Sequence, residues 1–265
     1  MYGQRVDDSR IMETHKDPNV PVKFYSPWTN TIARLKLPEY MVNQFIELTD
    51  MLMKDKEAED FGYTLAGQIG TEIRIDTNRL PEYSQRWILN MVSQYVKHCL
   101  IQSHAHVEDT VKDIAKEKFD AKFNSMWMIS QKDNEYNPIH VHTNCDVSAV
   151  FYLKIPEYLP GRKEHINPDG SIVFVNNTGT DTRYSNSIAP FWPIVGDMFI
   201  FGGKQLHGVY PFRTKDGKGE RRSVSFNASV NVNGFGEVAM KETAEGSARE
   251  EKFKEGIIMR EEQFK

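Results

Sequence analysis

Cysteine is nearly absent from this chain: two residues, Cys99 and Cys145, in 265. Two cysteines make no disulfide framework, and a reducing cytoplasm is the expected compartment. There is no CxxC, which excludes a structural zinc site of the cysteine type. Basic excess is also missing. Lys and Arg number 33 against 37 Asp and Glu, a net charge of −4. A protein that neutralises many phosphates usually carries the opposite balance, so nucleic acid is not the expected partner. No apolar run approaches the roughly 20 residues of a membrane span. The first 20 residues are polar, show no period and have no apolar centre, so they read as a flexible arm and not as a secretory signal.

What is present changes its period along the chain. Residues 20–38 mix β-branched and aromatic residues with turn formers and read as one or two short strands. Pro38 opens a helix with Met41, Phe45, Leu48 and Leu52 on one face. Pro81 opens a longer one, with apolar pairs from Trp87/Ile88 to Cys99/Leu100 recurring every four residues. A weaker helix is expected over 107–119. After residue 120 the period falls to 2. Strands are expected at 124–131, 147–155, 171–175, 193–202, 206–212 and 222–232, separated by turn signals such as Asp169-Gly170 and Asp216-Gly217. Strands with no helices between them argue an antiparallel sandwich or barrel. The helices come first and should pack on one outer face. The last 30 residues, from Gly236, carry 14 charged side chains and a weak helical face of Phe253, Ile257 and Phe264. That tail suits a surface helix, a frayed end or a homo-oligomer contact.

Three of the eight histidines stand in informative places. His140 and His142 form an HxH in an extended stretch. Side chains two apart then point the same way, as a metal site needs. His207 stands alone after the small pair Gly202-Gly203, which leaves room beside the backbone. His104 and His106 form a second HxH, but at a helix end, where the two side chains diverge; they read as cap or surface residues.

These features together resemble one family. Asn137, His140 and His142 precede a strand carrying Ser148, Tyr152 and Leu153. Then come Pro193, Gly196, Asp197 and Phe201, the distal His207, and the run Arg221, Ser223, Ser225, Phe226 and Asn227. This order, over residues 120–232, resembles the 2-oxoglutarate- and iron(II)-dependent oxygenases, and within them an HxH-motif group of bacteria and phages. The resemblance implies a mainly β fold, a double-stranded β-helix of the jelly-roll or cupin-like kind, with helices on one face. The chain would then divide into an arm (1–20), one oxygenase domain (21–235, with helical support at 38–119 and the jelly roll at 120–235) and the charged tail (236–265).

The same resemblance implies Fe(II) and 2-oxoglutarate as cofactor and co-substrate. It implies a dioxygenase that hydroxylates a small-molecule or peptide substrate with O₂ and releases succinate and CO₂. Carried over residue by residue, His140 and His207 are metal ligands. The usual family pattern has Asp or Glu where this chain has His142. Either His142 ligates, or Asp146 supplies the carboxylate, or that ligand is missing. The far carboxylate of the oxoacid calls for Arg221, whose planar fork donates two parallel hydrogen bonds.

Arg221, Ser223, Ser225 and Asn227 share parity and should face one side; Arg222 should face the other. A turn at 215–219 is expected to bring Arg221 back beside the His207 strand as a hairpin. Ser148, Val150, Tyr152 and Lys154 share parity with the His pair, so Ser148 and Tyr152 are further candidates to bind the oxoacid. Val147, Ala149, Phe151, Leu153 and Ile155 form the opposite, apolar face. Two other readings stand beside this one: a cupin-like metalloenzyme that does not use 2-oxoglutarate, and a jelly-roll binding module with inert histidines. Loops 156–169 and 176–189 are expected at the mouth of the barrel.

Overall fold

The structure is a computed structural model that describes residues 30–161, 163, 167–176 and 186–232. The expected arm and charged tail lie outside these residues. Elements run in the order β1 (Ile32–Lys36), α1 (Glu39–Leu52), β2 (Glu72–Arg74), α2 (Glu82–Ser103), α3 (Glu108–Lys116), β3 (Phe119–Gln131), β4 (Asn137–His140), β5 (Val147–Lys154), β6 (Ile172–Val175), β7 (Ile188–Phe191), β8 (Asp197–Gly202), β9 (His207–Val209) and β10 (Arg221–Val232). Among the described residues no helix is long and apolar enough to cross a membrane.

The strands make two antiparallel sheets. The larger has the order β1-β8-β5-β10-β3-β2, the smaller β4-β9-β6-β7. From β3 to β10 the chain winds between them, so that β3, β5, β8 and β10 fall in one sheet and β4, β6, β7 and β9 in the other. This is the double-stranded β-helix. Val150, Tyr152, Phe199 and Phe201 of the large sheet meet Ile172 and Phe174 of the small one in an apolar cluster between the layers.

The outer face of the large sheet carries the main core. Pro38 sits at the N-cap of α1 with Glu39 in the first turn, where its charge suits the helix dipole. The helix buries Met41, Val42, Phe45, Thr49 and Leu52. Phe45 meets Phe151 edge-on, ring centroids 4.8 Å apart. From α2, Ile88, Val92 and Tyr95 join the same cluster, facing Met126, Met128, Val224 and Phe226 of the sheet. Burying one such side chain stabilises by about 1.5–3 kcal/mol.

The expected boundaries shift where tertiary contacts decide them. β3 begins at Phe119, five residues before the alternation is legible, because β10 extends to Val232 and pairs with it. The expected strand at 193–202 shortens to Asp197–Gly202. Residues before it form a turn in which Gly196 has φ +84°. Asp197 holds that turn. Its Oδ2 accepts from Ile194 N at 2.9 Å, and its carboxylate pairs with Arg34 and Lys36 of β1. The polar stretch read as a loop at 176–189 instead ends in β7, which pairs with β6. The turn at 215–219 is not a hairpin. It carries the chain from the small sheet to the large one, where β10 pairs with β3 and β5 while β9 pairs with β4 and β6.

Parity on β5 holds as far as Leu153 and then fails. The β5–β10 register jumps between the pairs Ser223↔Tyr152 and Arg222↔Lys154, which leaves Leu153 as an extra residue. One extra residue reverses the faces of all that follow. Lys154, expected on the cavity side, therefore turns to the helices, and its Nζ donates to Asp50 Oδ1 at 2.9 Å. Ile155, expected among the helices, packs against the cluster between the sheets.

Arg222 points to α1 as its parity requires. It donates to Glu220 Oε1 at 2.8 Å and Oε2 at 3.0 Å, to Thr49 Oγ1 at 3.2 Å, and to Asp50 Oδ1. Hydrogen bonds from Lys154 and Arg222 hold the Asp50 carboxyl down at about 2. Removing one partner of such a network leaves buried polar groups unpaired. Arg222→Ala is expected to lower stability by about 2–4 kcal/mol, read as a shifted midpoint in urea unfolding with an unchanged slope.

Candidate active site

A cavity of about 270 Å³ opens between the two sheets. Its floor is the inner face of the large sheet. β10 contributes Arg221, Ser223, Ser225 and Asn227; β5 contributes Ser148, Val150 and Tyr152; β3 contributes Ser125, Trp127, Ile129 and Gln131. Each set is spaced by two residues, so alternation alone puts these groups on one face. The opposite wall is the small sheet, with His140, His207 and Val209.

His140 and His207 are a directly opposed cross-strand pair of β4 and β9. His142 follows β4, and its backbone N donates to Gly203 O at 2.8 Å. Gly203 must be glycine, since a Cβ there would stand 2.6 Å from Cys145 O and 2.8 Å from its Sγ. Gly202, the other member of the pair, has nothing within 4 Å of a Cβ and needs no such room. One nitrogen from each of His140, His142 and His207 lies within 4.8 Å of the others, the only such metal-capable group among the described residues.

The rings are held for ligation. Nδ1 of His140 donates to Pro138 O at 2.8 Å, and Nδ1 of His207 donates to Gln205 O at 2.9 Å. A carbonyl only accepts, so both Nδ1 atoms carry the proton and both Nε2 atoms keep a free lone pair. Nε2 of His142 and Nε2 of His207 are 3.3 Å apart. Two ligands at about 2.1 Å from one ion and at right angles would stand roughly 3 Å apart. Burial, with the neighbouring imidazoles adding to it, pushes His142 and His207 down to about 3; burial likewise lowers His140. All three are neutral imidazoles at pH 7, the form a metal binds. Trp127, Phe201 and Phe174 pack around them, with ring centroids 6.0 Å from His142 for the first and 4.5 and 6.1 Å from His207 for the others.

Asp146, the alternative third ligand, is turned away: its Oδ2 accepts from Val230 N at 2.8 Å. His104 caps α2 and bonds Leu100 O, remote from the cavity lining.

Further along the floor lies Arg221, 2% exposed. Its Nη1 donates to Gly170 O at 2.7 Å and its Nη2 to Gln131 Oε1, while its guanidinium stands over the rings of Tyr152 and Phe212 at 5.7 and 5.6 Å. Arg221 Nε has no hydrogen-bond partner, and none of the ion pairs among the described residues includes this side chain. Removing a guanidinium from water costs several kcal/mol unless an anion compensates it. A buried cation with no carboxylate among the described residues is suited to an anion. Tyr152 is buried too, and its phenol is pushed up to about 12, chiefly by burial and against the pull of Arg221, so it remains a neutral donor.

Sequence reasoning missed Glu72. It lies on the edge strand β2 opposite Ile129, is 2% exposed and lines the cavity. A three-residue strand carries too little alternation to be read, so no signal marked it. Burial, with Asp60 and Glu135 nearby, pushes its carboxyl up to about 7.

Residues 125–227 match the family described as "Putative 2OG-Fe(II) oxygenase". No curated protein matches the chain. Among solved structures, a prolyl-4-hydroxylase from Pseudomonas putida is 17% identical with a TM-score of 0.44, over 75% of this chain and 93% of that one. HygX from Streptomyces hygroscopicus, crystallised with nickel and 2-oxoglutarate, is 11% identical with a TM-score of 0.44, over 76% and 83%. The viral collagen prolyl hydroxylase vCPH from Paramecium Bursaria Chlorella virus-1, in its 2OG complex, is 11% identical with a TM-score of 0.39, over 74% and 94%. By the family match alone, the jelly roll at residues 125–227 is a domain of the 2-oxoglutarate- and iron(II)-dependent oxygenase family. The chain is an oxidoreductase whose cofactor and co-substrate are iron and 2-oxoglutarate.

Glu72 sets a stability test. Its carboxyl ionises near 4.5 when unfolded and near 7 when folded. Between those values the folded state binds the extra proton, so the wild type loses stability as pH rises from about 4.5 to about 7. Glu72→Gln removes that loss. Its stability relative to wild type is expected to improve by on the order of 1–3 kcal/mol between pH 5 and pH 8, measured by urea unfolding at both.

Proposed function

We propose that this enzyme hydroxylates a C–H bond of a small-molecule or peptide substrate, with His140, His142 and His207 holding the iron and Arg221 holding the far carboxylate of 2-oxoglutarate. One observation carries the reading. A single cavity has three neutral, convergent imidazoles in one wall and a buried guanidinium with no acidic partner among the described residues in its floor. A metal answers the first and a dicarboxylate the second. The iron, when bound, supplies the oxygen chemistry by which 2-oxoglutarate, O₂ and R–H become succinate, CO₂ and R–OH.

The chain's own groups bind, orient and exclude water. The Nδ1 bonds of His140 and His207 fix both rings before the metal arrives, so little ordering remains to be done on binding. Arg221 offers Nε and the remaining protons of its fork to a carboxylate. Ser223 and the Tyr152 hydroxyl are available to donate beside it, and Ser148 stands further along the same strand. Trp127 and Phe201 keep the metal end dry, which strengthens every polar contact inside. An all-imidazole set leaves the bound metal with its full positive charge, since no carboxylate ligand neutralises part of it.

His207→Ala is expected to abolish iron retention, read by metal analysis of the purified protein, while His104→Ala retains it. Arg221→Ala is expected to weaken 2-oxoglutarate binding by roughly 30-fold or more with metal binding intact. Isothermal titration of the manganese-loaded protein reads this. Lys at the same position should recover part of the loss, restoring charge but not the fork. Arg222→Ala, on the opposite face, should leave this affinity nearly unchanged. Equal affinity in wild type and Arg221→Ala would overturn the assignment of Arg221.

A further inference from the structure

The oxygenase reading uses the three imidazoles and Arg221 and leaves one buried ionisable group of the cavity without a task. Glu72 lies outside the metal-capable cluster, yet it is 2% exposed, lines the cavity, and its Oε2 has no hydrogen-bond partner. A carboxyl oxygen buried without a partner has lost its hydration with nothing in return. Such a cost is sustained where a ligand later meets the group.

Gly67 lets Glu72 and Asn137 come close against its backbone. A Cβ on that glycine would meet Asn137 Oδ1 at 2.7 Å, Glu72 Oε1 at 3.1 Å and Glu72 Oε2 at 3.3 Å. Both carboxyl oxygens and the Asn137 amide therefore converge on the bare face of one residue. The surroundings are of one sign. Asp60 and Glu135 are the charged groups that act on Glu72, and both raise its affinity for a proton. Asp60 accepts from Gly62 N and Glu135 from Gly70 N and Lys132 N, so both are fixed by backbone donors. Among the described residues no lysine or arginine pairs with Glu72, and Arg74 on the same strand is taken by Glu59. An anion would be repelled here. A neutral hydroxyl would offset little of the desolvation of a carboxylate. A cation offsets it directly.

We propose that Glu72 is a substrate-recognition residue and that the substrate presents a cationic nitrogen, an ammonium or a guanidinium, to its carboxylate beside Gly67 and Asn137. This rests on the oxygenase reading of the same cavity. The cavity is then bipolar: Arg221 takes the anionic co-substrate and Glu72 the cationic substrate. Co-substrate and substrate are sorted by charge before any shape is read.

The test uses the full-length chain with Mn(II) and 2-oxoglutarate added, and reads binding by isothermal titration. The probes are n-butylguanidinium and n-butylammonium against neutral butyramide and n-butanol. Wild type is expected to prefer the cations by about tenfold or more. Glu72→Gln keeps shape and removes charge, and is expected to abolish the preference. Gly67→Ala keeps the charge but presses a Cβ against Asn137 and both Glu72 carboxyl oxygens, and is expected to weaken cation binding. Glu82→Gln, at the exposed pair with Arg86 on α2, is expected to change nothing. Equal binding of cations and neutrals by wild type, or a preference retained in Glu72→Gln, overturns the proposal.

A crystal of the wild type soaked in n-butylguanidinium gives a second answer that does not depend on how a variant folds. A nitrogen within hydrogen-bond reach of Glu72 Oε2 supports the assignment, and a cation bound elsewhere overturns it. Free L-lysine and Nα-acetyl-lysine methylamide separate the two sources of such a nitrogen. The tighter binder marks a free amine or a side chain in a peptide. The 2-oxoglutarate titration of the same samples answers for the oxygenase reading alone, so the two can fail separately.

Discussion

Everything in this molecule hangs on β10, the strand paired along its whole length with β3 and over Arg222–Ala228 with β5. Its two faces serve opposite ends. Val224, Phe226 and Ala228 close the core under the helices. Arg221, Ser223, Ser225 and Asn227 floor the cavity. Period-2 alternation on one strand thus divides core from chemistry, and a slip of one residue would exchange them. Arg221 and Arg222 are neighbours in the chain and nearly equally buried, yet they do unrelated work. Arg222 spends its donors on Glu220, Thr49 and Asp50 and ties α1 to the sheet. Among the described residues Arg221 meets no carboxylate, which suits that end of the cavity to an anion.

The small sheet has the complementary task. It buries little apolar surface of its own beyond the cluster shared with the large sheet. What it contributes is the opposed pair His140 and His207, set by β-ladder register and not by loop conformation. A site on paired strands is held more tightly than one on connecting loops. His142 is the exception, since it lies past the end of β4. The backbone bond to Gly203 restores what the ladder no longer supplies, and the close approach of Cys145 is why residue 203 carries no side chain.

Charge is distributed within the cavity in a way that net charge conceals. Neutral imidazoles, a bare guanidinium and a carboxyl pushed up to about 7 all stand in about 270 Å³. The histidines and Glu72 are held in the form that costs least without a ligand: the histidines neutral, and Glu72 protonated over much of the range below 7. The cost of keeping Arg221 buried is spread over two aromatic faces and two oxygen acceptors.

Local pattern was enough for a good part of this. The 3.6-residue stripes of α1 and α2, the switch to period 2 after residue 120, and the shared face of Arg221, Ser223, Ser225 and Asn227 follow from spacing alone, because helix and strand geometry convert spacing into direction. The HxH and the lone His207 named the candidates for a metal on the same grounds. Other features depend on partners far along the chain. The extra residue at Leu153 that turns Lys154 toward Asp50 is visible only in the register against β10. The meeting of His140 with His207, 67 positions apart, needs the small sheet to form. Asp146 had the right parity for a metal, but the backbone of Val230 claims its carboxylate. Glu72 has no local mark at all. Its burial, its raised proton affinity and its bare oxygen come from being laid against Ile129 at the edge of the large sheet, beside Gly67 and Asn137. Spacing sets which way a side chain points; only the closed fold sets what it meets.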